Sequence, residues 1–381
     1  MVSTAPARKE PTNRNEERIT FLRIVVLLLA LALGMSIPIE VLLATRGGGK
    51  TVVQASQAST GSMAGMLGMT AAGAAATPSF AGAAPENADA LAAAHKPYDA
   101  ALPPLQAGDV VNVHLVLTDI TVQIAPGVKY AAWAWAGGAP GPVIHVRQGQ
   151  TVKITLTNNG AIPHSVDFHA GRVAPDKNFI DVFPGKSFTF SFKANDPGVF
   201  MYHCGTKPVL MHIANGMYGA IVVEPSTPLP HADKQYVLVA SEWYLDRNGL
   251  TQPAQFDMAK AHAKTPDWMT FNGYAGQYVK HPLTADPGDT VRFWVVDAGP
   301  SIDTDFHIVG TILDRAWIDS DLTQHLNDVQ TAQVPAGGGG VFDVKIDQPG
   351  LYPFVSHAFA AVDQGQVGLL NVGHVAGTMS H

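Results

Sequence analysis

One cysteine, Cys204, is all that the 381-residue chain contains. A single thiol excludes an intramolecular disulfide framework in any compartment, so Cys204 is either an inert core residue or a chemical one. Charge is scarce too: Asp, Glu, Lys and Arg make up 14% of the chain, against about 25% in an average soluble domain. The formal net charge is −7, with no basic clustering beyond the N-terminus, which argues against nucleic acid as a partner. Helix-forming charged runs are few, whereas Gly, Ala and Pro are plentiful. That balance favours β structure with a low-complexity section, in a chain long enough for two domains plus extensions.

The N-terminal segment bears on location. Arg8, Lys9, Arg14, Arg18 and Arg23 precede the apolar run "IVVLLLALALGMSIPI" over 24–39. A cleaved export signal needs a short apolar core and a small-residue site, for which Ala32-Leu33-Gly34 is passable. An uncleaved anchor needs nearly a full span, which 21–44 supplies if Glu40 sits near the far interface. The long basic segment, and a cleavage site lying inside the apolar run, favour the anchor. Residues 1–20 are then expected in the cytoplasm, and everything after residue 45 on the extracytoplasmic, periplasmic side of the membrane. From 45 to 107 the chain is rich in Gly, Ala, Ser and Thr and reads as a flexible tether. Within it Met63, Met66 and Met69 recur every third residue. That spacing offers thioethers to Cu(I), with a weakly helical linker patch as the plainer reading.

After Gly108 the character changes. "VVNVHLVLTDITVQI", "TVKITLTN", "SFTFSFKA" and "GAIVVE" alternate in polarity between Gly, Pro, Asn and Asp turns, the pattern of a Greek-key sandwich or barrel. The pattern occurs twice: "GQTVKI", "PHSVDFH", "DPGVFMYHC" and "GMYGAIVVE" return in order as "GDTVRF", "SIDTDFH", "QPGLYPFVSH" and "GQVGLLNVG". Two tandem β domains are expected, 108–226 and 227–381, joined at the Pro-rich "EPSTPLPHADK". Laying one copy on the other puts Ile302 at the place of His164, Ser356 at that of Cys204 and Gln366 at that of Met217. Joint loss of three residues points to one shared site in the first copy.

That site has a soft donor set: His164, Cys204, His212 and Met217. Two imidazoles, a thiolate and a weak thioether are the ligands of a blue-copper electron-transfer centre, whereas Met is a poor zinc ligand. The bland alternative is a buried free Cys near unrelated histidines. On an extended strand neighbouring side chains face opposite ways, so with Cys204 inward His203 faces outward. By the same parity Asp167 and His169 share a face, and His203, His169 and Asp167 are expected to meet on the outer surface of the first domain. Two imidazoles need a third ligand. His307, in "TDFH", and His357, after the Cys204-equivalent position, are candidates from the second repeat, within one chain or between chains. A three-histidine metal with an open position binds a small oxyanion or water, and Asp167 and His307 are placed to relay protons. The other histidines, including His95, His145 and His281, read as surface or structural.

The arrangement resembles the two-domain copper-containing nitrite reductases of the cupredoxin and multicopper oxidase superfamily. The resemblance covers about 110–373 and rests on "PGPVIHVRQG", "PHSVDFH", "YHCGTKPVLMHIANGMYGAIVVEP", "DFHIVG" and "VPAGG". It implies cupredoxin folds, a homotrimer, and one type 1 and one type 2 copper per subunit. On matching positions, His164, Cys204, His212 and Met217 would hold type 1 copper. His169 and His203 would hold type 2 copper with His357 of an adjacent subunit, and Asp167 and His307 would handle protons. The implied reaction is one-electron reduction of nitrite to nitric oxide, with a small redox protein, a cupredoxin or cytochrome c, as donor. The chain departs from the family in "AGRVAPDKNFIDVFPG" after His169, where a Gly- and Ala-rich stretch is usual. It departs again at Val309, commonly Ile, and at Ser356, commonly Asn or Asp. Two rival readings remain: a membrane-tethered copper carrier or electron-transfer protein, and a laccase-like oxidase, whose His-X-His pairs the sequence lacks.

Overall fold

The computed structural model describes residues 85–377. The anchor or export segment expected over 21–44, and Met63, Met66 and Met69, lie outside the described residues. Among the described residues no helix is long and apolar enough to cross a membrane.

Among the described residues nineteen strands form four sheets. In the first half, β1 (Val110–Ala125), β2 (Val128–Trp135), β4 (Thr151–Asn158) and β6 (Ser187–Lys193) form a sheet of order β2-β1-β4-β6. Facing it, β3 (Ile144–Arg147), β5 (Asp167–Phe168), β7 (Gly198–His203) and β8 (Tyr218–Glu224) are ordered β3-β8-β7-β5. The alternation expected from the sequence is realised on β4, where Val152, Ile154 and Leu156 are buried while Lys153 is exposed, because successive side chains leave a strand on opposite faces. Gly149, at φ +89°, makes the turn between β3 and β4 in a conformation that other residues rarely adopt.

The second half repeats the wiring. One six-stranded sheet is ordered β10-β9-β12-β17-β14-β15, from β9 (Lys234–Trp243), β10 (Trp268–Phe271), β12 (Thr290–Asp297), β14 (Leu313–Ile318), β15 (Leu326–Val329) and β17 (Gly339–Lys345). A five-stranded sheet is ordered β11-β19-β18-β13-β16, from β11 (Leu283–Ala285), β13 (Thr304–Ile308), β16 (Ala332–Val334), β18 (Gly350–Ser356) and β19 (Val367–Val372). The parallel pairs β1/β4 and β3/β8 recur as β9/β12 and β11/β19. The fold is thus mostly β, with a few short helices.

Hydrogen bonding corrects the alignment of the two copies. Asp167 lies opposite His203 on the β5/β7 pair, whereas His307, not Asp305, lies opposite Val355 on β13/β18. The Ser165 N–H points to Cys204 Sγ at 3.4 Å, and the Asp305 N–H donates to Ser356 Oγ at 3.1 Å. The counterpart of His164 is therefore Thr304, two residues beyond Ile302, and His307 occupies the place of Asp167 rather than of His169. The similar letters "DFH" align a strand that has slid by two residues, a slide that keeps every side chain on its face and leaves the hydrophobic pattern intact. Ser356 remains the counterpart of Cys204 and Gln366 that of Met217, since Cys204 N–H donates to Met217 O and Ser356 N–H to Gln366 O. Ala361 stands for His212, as both carbonyls accept from the equivalent N–H, of Met217 and Gln366. Thr304, Ser356 and Gln366 are all buried, with Gln366 Nε2 donating to Thr304 Oγ1 at 3.0 Å. A small hydrogen-bonded polar group has replaced the soft donors.

The expected tether also ends earlier than its composition indicates. Ala88–Ala94 is a helix, the His95 ring stacks on Tyr274 with centroids 3.7 Å apart, and Tyr98 OH donates to Gly141 O at 3.1 Å. Leu102 N–H donates to Gln235 O, so the last part of the tether is strapped across both halves. His145, buried, grips the strap by donating from Nδ1 to Pro103 O at 2.6 Å and faces Glu224 with Nε2 at 3.1 Å. These are structural roles, as expected for these histidines.

Each sandwich has its own core, built around Leu115, Val152, Phe168 and Ile221 in the first and Leu238, Phe293, Phe306 and Leu370 in the second. A third cluster belongs to both: Tyr130, Met201 and Tyr218 pack with Trp243, Trp294 and Trp317. Removing a fully buried aromatic from a close-packed core costs about 3–5 kcal/mol. Trp243→Ala is therefore expected to lower the stability of both halves in one transition. Denaturant unfolding followed by two probes, one per half, tests this, and two separate transitions in the parent would show that the shared core does not couple them.

Candidate metal centres

The buried centre is built where β7 runs out. Cys204 follows its last residue, and the loop that leaves it leads into the helix Val209–Ala214, which carries His212. His164 precedes β5 and is held by reciprocal backbone hydrogen bonds with Val182. All three side chains are buried. His164 Nδ1 and His212 Nδ1 face each other at 3.0 Å, and Cys204 Sγ lies 3.3 Å from His212 Nδ1 and 3.9 Å from His164 Nδ1. Met217 is buried in the same core as Cys204, directly after the turn at Gly216, whose φ is +103°. Trp133 covers both imidazoles, with centroids 5.1 Å from His164 and 4.8 Å from His212.

The electrostatics favour a neutral-ligand pocket. Burial lowers the pKa of His164 to about 3, helped by His212, and that of His212 to about 4, against a weaker opposing effect of Asp181. Burial pushes the Cys204 thiol up, opposed by hydrogen bonds from Ser165 and Thr206. Without a cation this pocket keeps a thiol and two uncharged imidazoles with lone pairs converging, which is the chemistry of a soft metal site.

The second centre lies on the opposite face of the same strand. Asp167 and His203 are cross-strand partners, with Asp167 Oδ2 3.9 Å from His203 Nε2. His169 Nε2 approaches His203 Nε2 to 3.0 Å. Each ring meets a carbonyl with its other nitrogen: His203 Nδ1 donates to Cys204 O at 3.0 Å and His169 Nδ1 to Gly337 O at 2.8 Å. A carbonyl only accepts, so each ring's proton is on Nδ1 and two Nε2 lone pairs point at one another. Burial lowers the His203 pKa, so a proton is a poor mediator between them. A metal cation satisfies both lone pairs, and the residues present fit one. The carbonyl bonds are the orienting contacts usual behind metal-bound imidazoles.

His357 is not in this cluster within the chain. Its ring stands edge-on to His307, with centroids 5.1 Å apart, and to Phe359 at 4.8 Å. His307 Nδ1 donates to the Gln330 carbonyl, so its Nε2 is the free nitrogen. His357 is exposed, as is Phe359 at 51%.

Several contributors escaped the sequence reading. Ser165 and Thr206 sit against Cys204, with Gly205 N–H and Thr206 Oγ1 both hydrogen-bonded to Ser165 Oγ at 3.1 Å. Ser165, next to His164, was findable by adjacency. Gly337 and Gln330 act through backbone carbonyls, which leave no mark in a sequence.

Comparison with known proteins agrees with this chemistry. The multicopper oxidase family profile matches residues 116–228. The chain is similar to the copper-containing nitrite reductase of Neisseria gonorrhoeae, 40% identical over 269 residues, covering 69% of this chain and 68% of that protein. Among solved structures it is similar to a copper nitrite reductase from Nitrosomonas europaea, with 32% identity, TM-score 0.65, and coverage of 70% of this chain and 95% of that one. It is also similar to a copper-containing nitrite reductase from Thermus scotoductus, with 26% identity, TM-score 0.65, and coverage of 71% of this chain and 64% of that one. A soft donor set and a histidine pair that meet at one strand end, together with 40% identity to the Neisseria gonorrhoeae enzyme, place the chain in the family of copper-containing nitrite reductases.

Proposed function

We propose that the chain reduces nitrite by one electron, NO₂⁻ + 2H⁺ + e⁻ → NO + H₂O, using one copper at each centre. His164, Cys204, His212 and Met217 would hold the electron-accepting type 1 copper. His169 and His203, with His357 of a neighbouring copy, would hold the substrate-binding type 2 copper. Copper supplies one-electron redox chemistry at the first centre and a Lewis acid for a small oxyanion at the second. The observation that carries the reading is the pair of Nε2 atoms 3.0 Å apart, backed by two carbonyls and one residue away from the buried thiol.

The chain's own groups then divide the work. Cys204 and His203 are consecutive, so the two ligand sets are joined by a continuous covalent path, and the His203 Nδ1 bond to Cys204 O adds a shorter one. Asp167 presents its carboxylate on the Nε2 side of His203, where it orients nitrite and passes a proton to the oxygen that leaves as water. His307, with Nδ1 committed to Gln330 O and its ring 5.1 Å from that of His357, would come with His357 from the neighbouring copy and offer Nε2 for the second proton. The exposure of His357 and Phe359, and the absence of His357 from the Asp167, His169 and His203 cluster of the same chain, support closure of the site between copies. Copies related head to tail close into a ring, here a homotrimer. A small cupredoxin or cytochrome c would deliver the electron over the buried centre, where Ile180 and Phe183 are exposed beside Val182, the backbone partner of His164. The basic segment and apolar run before residue 45 support an enzyme held on, or exported to, the periplasmic side of the membrane.

Anaerobic turnover of nitrite by the copper-loaded protein, with direct detection of nitric oxide, tests the reaction. Asp167→Asn is expected to lower turnover at least about 100-fold, the usual scale for loss of a positioned acid–base group. If the parent makes no nitric oxide with a competent donor, the assigned reaction is wrong. Cys204→Ser should abolish the visible sulfur-to-copper absorption while leaving a histidine-only copper signal. Loss of both, in a folded variant, would contradict two separate centres. His203→Ala and His357→Ala should each be inactive, yet regain part of the activity when co-expressed, because mixed assemblies contain interfaces with both histidines intact. No recovery in verified mixed assemblies would argue against closure of the site between copies.

A further inference from the structure

The carbonyl that orients His169 comes from the other half of the molecule. Gly337 lies in the turn between β16 and β17, at φ +84°, a conformation suited to glycine. The turn is fastened at two places. At the end of β12, Gly337 N–H donates to Asp297 O at 2.7 Å and Asp297 N–H donates to Gly338 O at 3.1 Å. On the other side, the Asp303 carboxylate accepts from Ala336 N–H at 2.9 Å and from Gln333 Nε2 at 3.1 Å. Asp303 is the one side chain in this arrangement that holds the backbone immediately before Gly337. It stands in the loop before β13 and is not a member of the Asp167, His169 and His203 cluster.

We infer that Asp303 is a positioning residue for the copper-binding His169, acting through the Ala336–Gly337 turn and its carbonyl; this rests on the three-histidine copper reading above. The chain of causes is short. Asp303 fixes the turn, the turn fixes the Gly337 oxygen, and that oxygen accepts only from Nδ1–H. The His169 lone pair is thereby committed to Nε2, the atom facing His203 at 3.0 Å. Without the carboxylate the turn keeps its Asp297 contacts but loses its grip at Ala336, and the imidazole is released to rotate or to change tautomer.

The test compares Asp303→Ala and Asp303→Asn with the parent in the intact protein. Asn retains an oxygen for Ala336 N–H, and its amide can pair with a flipped Gln333, so it is the conservative rescue. Asp303→Ala is expected to weaken the histidine-only copper about 10- to 100-fold in chelator competition, the usual cost of losing an orienting contact. The sulfur-ligated copper should keep its absorption, and Asp303→Asn should restore most of the lost affinity. In copper-free protein, ¹⁵N NMR should show His169 as the Nδ1–H tautomer in the parent and as a mixture in Asp303→Ala. Parent-like copper affinity in Asp303→Ala, an Asn variant as weak as Ala, or an unchanged tautomer would each overturn the role. Absence of any histidine-only copper in the parent would instead overturn the two-copper reading itself.

Discussion

The antiparallel pairing of β5 with β7 is the constraint on which both candidate centres depend. It sets Asp167 opposite His203, and it does so at the point where β7 ends and Cys204 begins. Alternation along an extended backbone then sends the thiol into the core and the imidazole out of it. One strand end thus places one side chain in a buried, soft cluster and its neighbour in a more exposed one. Cys204 and His203 are consecutive, so the spacing of these two residues is fixed by covalent geometry, while the other members of each set are brought in by packing.

Around that strand end, the second half of the chain contributes support, not duplication. At the places of His164, Cys204, His212 and Met217 it carries Thr304, Ser356, Ala361 and Gln366, three of them polar and buried: Gln366 Nε2 donates to Thr304 Oγ1, Ser356 N–H to Gln366 O, and Ser356 Oγ accepts from Asp305 N–H. Replacing a whole donor set at once leaves no stray buried thiol or imidazole, each of which would be costly without a partner. Without the soft donor set, this half offers other things: His307 at the register position of Asp167, an exposed His357, and the Gly337 carbonyl that holds His169. The shared aromatic core of Trp243, Trp294 and Trp317 keeps the halves at the distance this last contact requires.

Much of this was legible in the chain itself. A lone cysteine beside a histidine, the short separations from Cys204 to His212 and Met217, and period-two alternation were enough to separate two ligand sets and to expect β-sandwiches. The internal repeat was legible as well, but its register was not. "SIDTDFH" shares the letters "DFH" with "PHSVDFH" at the wrong place, because a slide of two residues preserves both polarity pattern and face. The tether was misjudged for a related reason: its Ala-rich composition hides three anchors, His95, Tyr98 and Leu102, whose partners lie far along the chain.

Sequence alone determined the chemistry available: which donor atoms exist, how soft they are, and which neighbours on a strand must face apart. These follow from residue type and local backbone geometry. Tertiary structure alone decided the register of the second repeat, the separation of His357 from His169 and His203 within one chain, and the orientation of the His203, His169 and His307 imidazoles by the carbonyls of Cys204, Gly337 and Gln330. The reason is physical. Every residue carries the same carbonyl, so which one meets a histidine depends on where two distant segments are packed, and no residue letter records that.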